Sequence, residues 1–340
     1  MKAVAIKGSK KLEIKEIDEP KQNGDVIIDV KKAGICGSDL HYFVGGEPIG
    51  LVMGHEFCGV VIDSGNRDDL KVGDRVSALP ISPCMECEAC ETGNYQYCTK
   101  TWEHASGLSL DHSGALAPKM GIKPNMVVKI PDNVSYEEAA MIEPTAVGLH
   151  AINLADIKID DKVLIVGGGI IGLVSAMFAK KSGASYVAVS ETNEARGENS
   201  VKLGVADEWF DAKDEKFVEN VKSKVNGGFD VVIECCGNAP AVGSALSVCK
   251  NGGTVVLVGV SMEPISVPTI LAVMHELKVM GAIAYTKDEF EDVIDLMAKK
   301  QIDVTKFISD VVGLDGVQEA YERLTSGTDS AIKILVDPNK

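Results

Sequence analysis

Basic residues are in short supply. The chain has 34 Lys and Arg against 50 Asp and Glu, a formal charge of −16 at neutral pH. Such a charge repels nucleic-acid phosphates and anionic lipid over most of the surface, so neither is expected as a partner. Cysteine is sparse as well: nine in 340 residues, far below the roughly 8–10% of a disulfide scaffold. The amino terminus MKAVAIKGSKKLEIKEID alternates charged with apolar residues and lacks a signal-peptide core. A reducing, cytoplasmic compartment is the expectation. No apolar run approaches the roughly 18 residues of a membrane span; candidates such as residues 163–171 are short and broken by Gly. Aromatic residues make up only 5%, with two Trp, and neither an internal repeat nor a low-complexity tract is present. What remains is ordinary globular material, 45% hydrophobic and 25% charged, which argues against disorder and fibrous repeats. At 36.1 kDa the chain has room for about two domains.

The first 80 residues are short alternating segments punctuated by Gly, such as 25–30, 59–62 and 73–77. That pattern predicts antiparallel strands. Near residue 155 it changes to buried apolar strands at 163–166, 186–189, 231–233 and 255–258, spaced by helical stretches at 172–181 and 194–203. Strands alternating with helices predict βαβ units and a parallel sheet. A helix over 288–300 and a short closing strand over 332–336 follow, and the last segment is expected to rejoin the first domain.

Directly after residues 163–166 stands Gly167-Gly168-Gly169-Ile170-Ile171-Gly172, a G-x-G-x-x-G opening a helix. Glycines there allow a tight turn and close approach of backbone to a pyrophosphate, while the helix start offers amide donors. A glycine turn that serves packing alone is the plain alternative. The next strand ends on Glu191, whose carboxylate suits the ribose hydroxyls of NAD and disfavours the 2′-phosphate of NADP. Arg196, a few residues later, is the feature that keeps NADP open.

Cys84, Cys87, Cys90 and Cys98 fall within fifteen residues, in a loop too polar to form a core. Four thiolates at tetrahedral reach would anchor it through one closed structural zinc. Disulfides and an iron–sulfur cluster are the alternatives, the first disfavoured by the compartment. Glu86, Glu88 and Glu91 lie among them with no Lys or Arg, so this is not a nucleic-acid module. A second group is scattered: Cys36-Gly37-Ser38-Asp39-Leu40-His41, Gly54-His55-Glu56 and Glu143-Pro144. Taken singly, each has a bland explanation: a buried thiol, a satisfied core histidine, a surface charge, a helix-end carboxylate. Beside a dinucleotide motif, one thiolate, one imidazole and one carboxylate instead suit a catalytic zinc with an open fourth position.

With these residues and Ile142-Glu143-Pro144, Ala146-Val147-Gly148-Leu149-His150 and residues 234–237, the whole chain resembles the zinc-dependent medium-chain alcohol and polyol dehydrogenases, on the branch of sorbitol and 2,3-butanediol dehydrogenases. The resemblance implies an α/β protein. A GroES-like, mainly antiparallel β catalytic domain would span 1–150 and 286–340, with a structural-zinc lobe at 80–100. A doubly wound parallel-sheet Rossmann domain would span 151–285. It implies two zinc ions per chain and hydride transfer between NAD and a secondary alcohol, polyol or vicinal diol, giving the ketone. Cys36 and His55 would be zinc ligands and Asp39 would orient the histidine. Glu56 would be the third ligand with Glu143 holding a zinc-bound water, although Glu143 as the direct ligand stays open. Ser38 would take the alcohol proton and His41 pass it outward. Tyr42 and Tyr285 would face the substrate, and Val258 would join Gly167, Gly169, Ile170, Ile171, Gly172, Glu191 and Arg196 at the cofactor.

On substrate the residues divide. Ala284 stands where sorbitol dehydrogenases typically carry an Arg, and Gly281-Ala282-Ile283-Ala284-Tyr285 is closer to the butanediol enzymes, whereas His41-Tyr42 echoes the sorbitol enzymes. A sugar alcohol, 2,3-butanediol and threonine are the candidate substrates. A zinc-free reductase of the same fold and a non-catalytic nucleotide-binding homologue are the rival readings. A homodimer or homotetramer is expected, with residues 255–260 and the segment after them as candidate interface.

Overall fold

The computed structural model describes residues 1–340 as two compact units, Met1–Ala146 with Tyr285–Lys340, and Val147–Ala284. The borders differ by a few residues from 150/151 and 285/286, because one continuous helix, Ile142–Ala155, runs through the first border. Tyr285 falls in the first unit.

The first unit is built on a seven-stranded sheet. Its order is Ile308–Val312, Lys333–Val336, Val26–Gly34, Glu56–Asp63, Arg75–Ala78 and Val127–Lys129, with Lys119–Ile122 also pairing to Val26–Gly34. Every pairing is antiparallel except that of Ile308–Val312 with Lys333–Val336. A hairpin of Lys2–Gly8 and Lys11–Glu16 adds its buried Val4 and Ile6 to the same core as Phe43, Phe57, Leu51 and Tyr321. Each such buried side chain contributes about 1.5–3 kcal/mol. Register does the work that matters for the site: Gly34 pairs with Glu56 on one side and with Leu335 on the other. A Cβ at Gly34 would run into the Glu56 carboxylate, so only glycine lets the three strands bring that acid and the closing strand together.

The second unit is a six-stranded, wholly parallel sheet in the order Glu208–Asp211, Tyr186–Glu191, Lys162–Val166, Phe229–Glu234, Cys249–Leu257 and Lys278–Gly281. This is the doubly wound dinucleotide-binding order. Val163, Leu164, Ile165, Val187, Val189 and Val232 are fully buried, as strands covered on both faces must be. The strand expected at 255–258 begins earlier, at Cys249, which pairs with Phe229 before an irregularity over the polar, Gly-rich residues 250–253 that an apolar pattern does not register. No helix is long and apolar enough to cross a membrane.

Candidate active site and metal centres

The scattered acids and bases of the first unit converge. Cys36 is the N-cap of the helix Gly37–Gly45, which starts because the Asp39 carboxylate turns back to accept the Cys36 N–H at 3.1 Å. The other Asp39 oxygen faces His55 Nδ1 at 3.3 Å. This pairing sets the imidazole so that Nε2 points the other way, towards Ser38 Oγ at 3.5 Å. Ser38 Oγ in turn donates to Cys36 Sγ at 3.3 Å. Ligand atoms of Cys36, His55 and Glu56 all lie within 4.8 Å of one another.

His55 and Glu56 are buried and Cys36 half-buried, and the group is electrostatically unbalanced. Burial alone would lower the His55 pKa, yet Asp39 and Cys36 hold it well above its usual value. Surroundings that retain a proton on a buried imidazole also attract a divalent cation, and a thiolate, an imidazole and a carboxylate form a donor set that suits zinc. Glu143, in the first turn of Ile142–Ala155, is pushed up to about 7 by burial, partly countered by His55. The Tyr285 hydroxyl beside it also favours its charged form. Glu143 lies outside the tight three-donor group.

One residue at this centre was missed by sequence reasoning. Lys333 Nζ, 1% exposed, donates to both Glu56 oxygens at 2.8 and 2.6 Å and to the Ile35 carbonyl at 2.8 Å. Burial would lower its pKa, but Glu56 and Cys36 keep it raised. The available signal was a lone Lys heading the fully buried strand Lys333–Val336. His41 is exposed on the same helix as Ser38, and Tyr42 packs partly against the core. Cys58 is buried and donates to the Tyr136 carbonyl at 3.2 Å, consistent with packing alone.

The four-cysteine lobe is built differently. Cys84, Cys87, Cys90 and Cys98 place their sulfurs within 4.8 Å of one another. The Cys84–Cys90 and Cys87–Cys90 separations are 3.9 and 3.6 Å. A disulfide would need about 2.05 Å, whereas sulfurs about 2.3 Å from a tetrahedral zinc lie roughly 3.8 Å apart. Burial would raise Cys98, but backbone N–H groups of Cys84 and Lys100 overcome it and bring that thiol down to about 6. Burial and the Cys87 thiol push Cys90 up to about 12. A cluster that favours the thiolate at Cys98 and disfavours it at Cys90 is one that a cation would complete.

In the second unit, Lys162–Val166 runs into the glycine loop and the helix Ile170–Lys181. Gly167 has φ 108°, and a Cβ on Gly172 would collide with the Gly167 carbonyl. Residues with side chains could not make this turn. Gly169 has open space where a Cβ would stand, the cradle that a phosphate approach requires. Glu191 is fixed by the Gly168 N–H at 2.8 Å and by the Thr192 and Asn193 N–H groups at 2.6 and 2.9 Å. Val258 donates its N–H to the Glu234 carbonyl at 2.8 Å, at the end of the neighbouring strand. Arg196 lies in the first turn of Glu194–Lys202, its Nε buried without a hydrogen-bond partner.

Comparison with known proteins agrees with both units. The alcohol dehydrogenase GroES-like domain model matches residues 22–132, and the zinc-binding dehydrogenase model matches 171–299. Sorbitol dehydrogenase of Bacillus subtilis (strain 168) is 33% identical, covering 100% of this chain and 98% of that protein. Among solved structures, 2R,3R-butanediol dehydrogenase from Bacillus subtilis is 30% identical, with a TM-score of 0.86 and 99% of each chain covered. A zinc-binding dehydrogenase from Sinorhizobium meliloti 1021, solved bound to NADP, is 29% identical, with a TM-score of 0.88 and 99% of each chain covered. The chain belongs to the zinc-dependent medium-chain alcohol and polyol dehydrogenase family.

Proposed function

We propose that this chain is an NAD-linked, zinc-dependent dehydrogenase that interconverts a secondary alcohol, polyol or vicinal diol with its ketone. The observation that carries the reading is the convergence of Cys36, His55 and Glu56 within 4.8 Å, with the Ser38 hydroxyl bonded to the thiol. When bound there, zinc supplies Lewis-acid polarisation of a carbinol oxygen and NAD accepts the hydride. Ser38 Oγ is assigned to accept the carbinol proton and His41, three residues on along the helix and exposed, to release it to solvent. Asp39 keeps the His55 tautomer in place. Glu143, pushed up to about 7 and beside Tyr285, is suited to hold a water or a proton beside the centre. Tyr42 and Tyr285 are assigned to the substrate side.

The tetrathiolate lobe is assigned a second, structural zinc. Glu191 is assigned to the adenosine ribose, which favours NAD; Arg196 and the NADP-bound relative favour NADP as the second reading. Sorbitol and butanediol dehydrogenases among the relatives make a polyol or a vicinal diol the first substrates to try. Exposed Val260, Met262, Ile270, Val273 and Met274 in the second unit support assembly as a homodimer or homotetramer, and the cytoplasm is the assigned compartment. The test is an initial-rate screen of NAD and NADP reduction over 2,3-butanediol, sorbitol, xylitol, ribitol, threonine and simple secondary alcohols, with and without chelator. Chelator-sensitive ketone formation supports the assignment; turnover that survives complete metal removal overturns it.

A further inference from the structure

We propose that His104, Asp111 and His112 form a third metal site, at the surface of the first unit, for a divalent first-row transition ion. One ligand atom from each residue lies within 4.8 Å of the other two. None of the three has a part in the dehydrogenase reaction proposed above. His104 Nδ1 is 2.5 Å from Asp111 Oδ2, and the His104 and His112 ring centroids are 6.4 Å apart.

The loop between the histidines is already shaped. Gly107 N–H donates to the His112 carbonyl at 2.9 Å and Leu108 N–H to the Ala105 carbonyl at 3.1 Å. Ser109 Oγ donates to the Ala105 carbonyl at 3.0 Å, and Ser109 bridges to His112 in antiparallel fashion. An ion arriving here would order little backbone, which removes much of the usual cost of binding. Ligands about 2.0–2.2 Å from an ion sit roughly 3.4 Å apart, so small rotamer shifts of the exposed His104 and Asp111, which open their 2.5 Å contact, bring the group to that spacing.

A second observation points the same way. His112 Nδ1 is buried and has no hydrogen-bond partner, while its Nε2 faces Asp25 Oδ2 at 3.7 Å. A carboxylate behind an imidazole is the usual means of orienting a metal-bound ring, and the ring is left with a nitrogen that no protein group satisfies. His104 and Asp111 are 53% and 56% exposed, and a cavity of about 300 Å³ opens beside Asp111 and His112. Water can therefore complete the coordination. Two imidazoles and one carboxylate select zinc, nickel, cobalt or copper over calcium or magnesium. Open to solvent on one side, the site would exchange its ion more readily than the buried centres.

The test dialyses the purified, zinc-loaded protein against rising Zn²⁺ and measures metal per chain by elemental analysis, with Co²⁺ and Mg²⁺ in parallel. Wild type and a His275→Gln control should each take up one exchangeable equivalent of Zn²⁺ or Co²⁺ beyond the tightly held metal, and none of Mg²⁺. His104→Ala and Asp111→Asn change exposed side chains and leave the fold in place; each should weaken that uptake at least about tenfold. Added Zn²⁺ should raise the melting temperature of wild type and not of His104→Ala. Equal uptake by wild type and both variants, or no exchangeable equivalent in wild type, overturns the proposal.

Discussion

The two cysteine-bearing centres of the first unit solve opposite problems. The lobe draws four like donors from a single short segment, where Glu88–Glu91 and Tyr95–Tyr97 are its only helical turns. With so little regular structure of its own, it is expected to owe its shape to an ion joining the sulfurs. The other centre draws unlike donors from a helix N-cap and the start of one strand, and it balances a buried acid with Lys333 from another strand. A closed set of identical ligands stabilises a loop. An uneven, buried set with a hydroxyl at hand is suited to chemistry.

That contrast can be broken by experiment, and the largest effect belongs to the uneven centre. Cys36→Ser or His55→Ala should lower kcat/KM at least about a thousandfold, the equivalent of about 4 kcal/mol, with the circular dichroism of wild type. Near wild-type turnover would remove the centre from the reaction. Lys333→Met comes next: it leaves the buried Glu56 carboxylate without its partner. Unfolding by urea should show a loss of about 3–5 kcal/mol in the metal-free protein and a smaller loss once zinc is restored. Equal losses in both forms would mean that Glu56 does not meet the metal.

Cys84→Ser should do the reverse of Cys36→Ser, lowering the melting temperature and the metal content by one ion per chain while sparing kcat. A fall in kcat with unchanged thermal stability would erase the distinction between the two centres. In the second unit, Glu191→Ala removes a charged acceptor worth about 1.5–3 kcal/mol, so KM for NAD should rise about tenfold or more and the preference over NADP shrink. The smallest effect concerns pH. Burial alone would raise the Glu138 pKa, but Lys300 and Ser135 hold it below its usual value. Its contribution is therefore present above the ordinary Glu pKa of about 4.5 and is lost as pH falls through the lower, folded value. Glu138→Gln, which weakens the capping box with Ser135, should cost about 1 kcal/mol at neutral pH. That difference should vanish in acid; a constant difference down to the acid transition would count against the pairing.

How legible each part was follows from how local it is. The glycine loop, the lobe and Glu191 could be read directly, because turn, thiol spacing and strand end are fixed by neighbours in the chain. Cys36, His55 and Glu56 could be grouped as a candidate zinc set by their types beside a dinucleotide motif, but their individual roles came only from the likeness to a family, since nothing in their spacing says that they meet. Lys333 escaped altogether: a lysine in an apolar strand reads as an interruption until the acid it neutralises, Glu56, is known to lie beside it. His104, Asp111 and His112 drew no notice for the same reason, because a loop must close before two histidines become neighbours.

By itself the sequence determined the parallel sheet with its dinucleotide loop, the four-thiol lobe and the residue types from which a reactive centre could be assembled. These follow from local periodicity, backbone freedom at glycine and short-range ligand spacing. The tertiary structure alone decided that Gly34 lets Glu56 and Lys333 share one buried spot, and that Asp39 turns His55 towards Ser38. Both depend on strand register and on burial, through which distant parts of the chain come to share a low-dielectric space where a charge must find its partner.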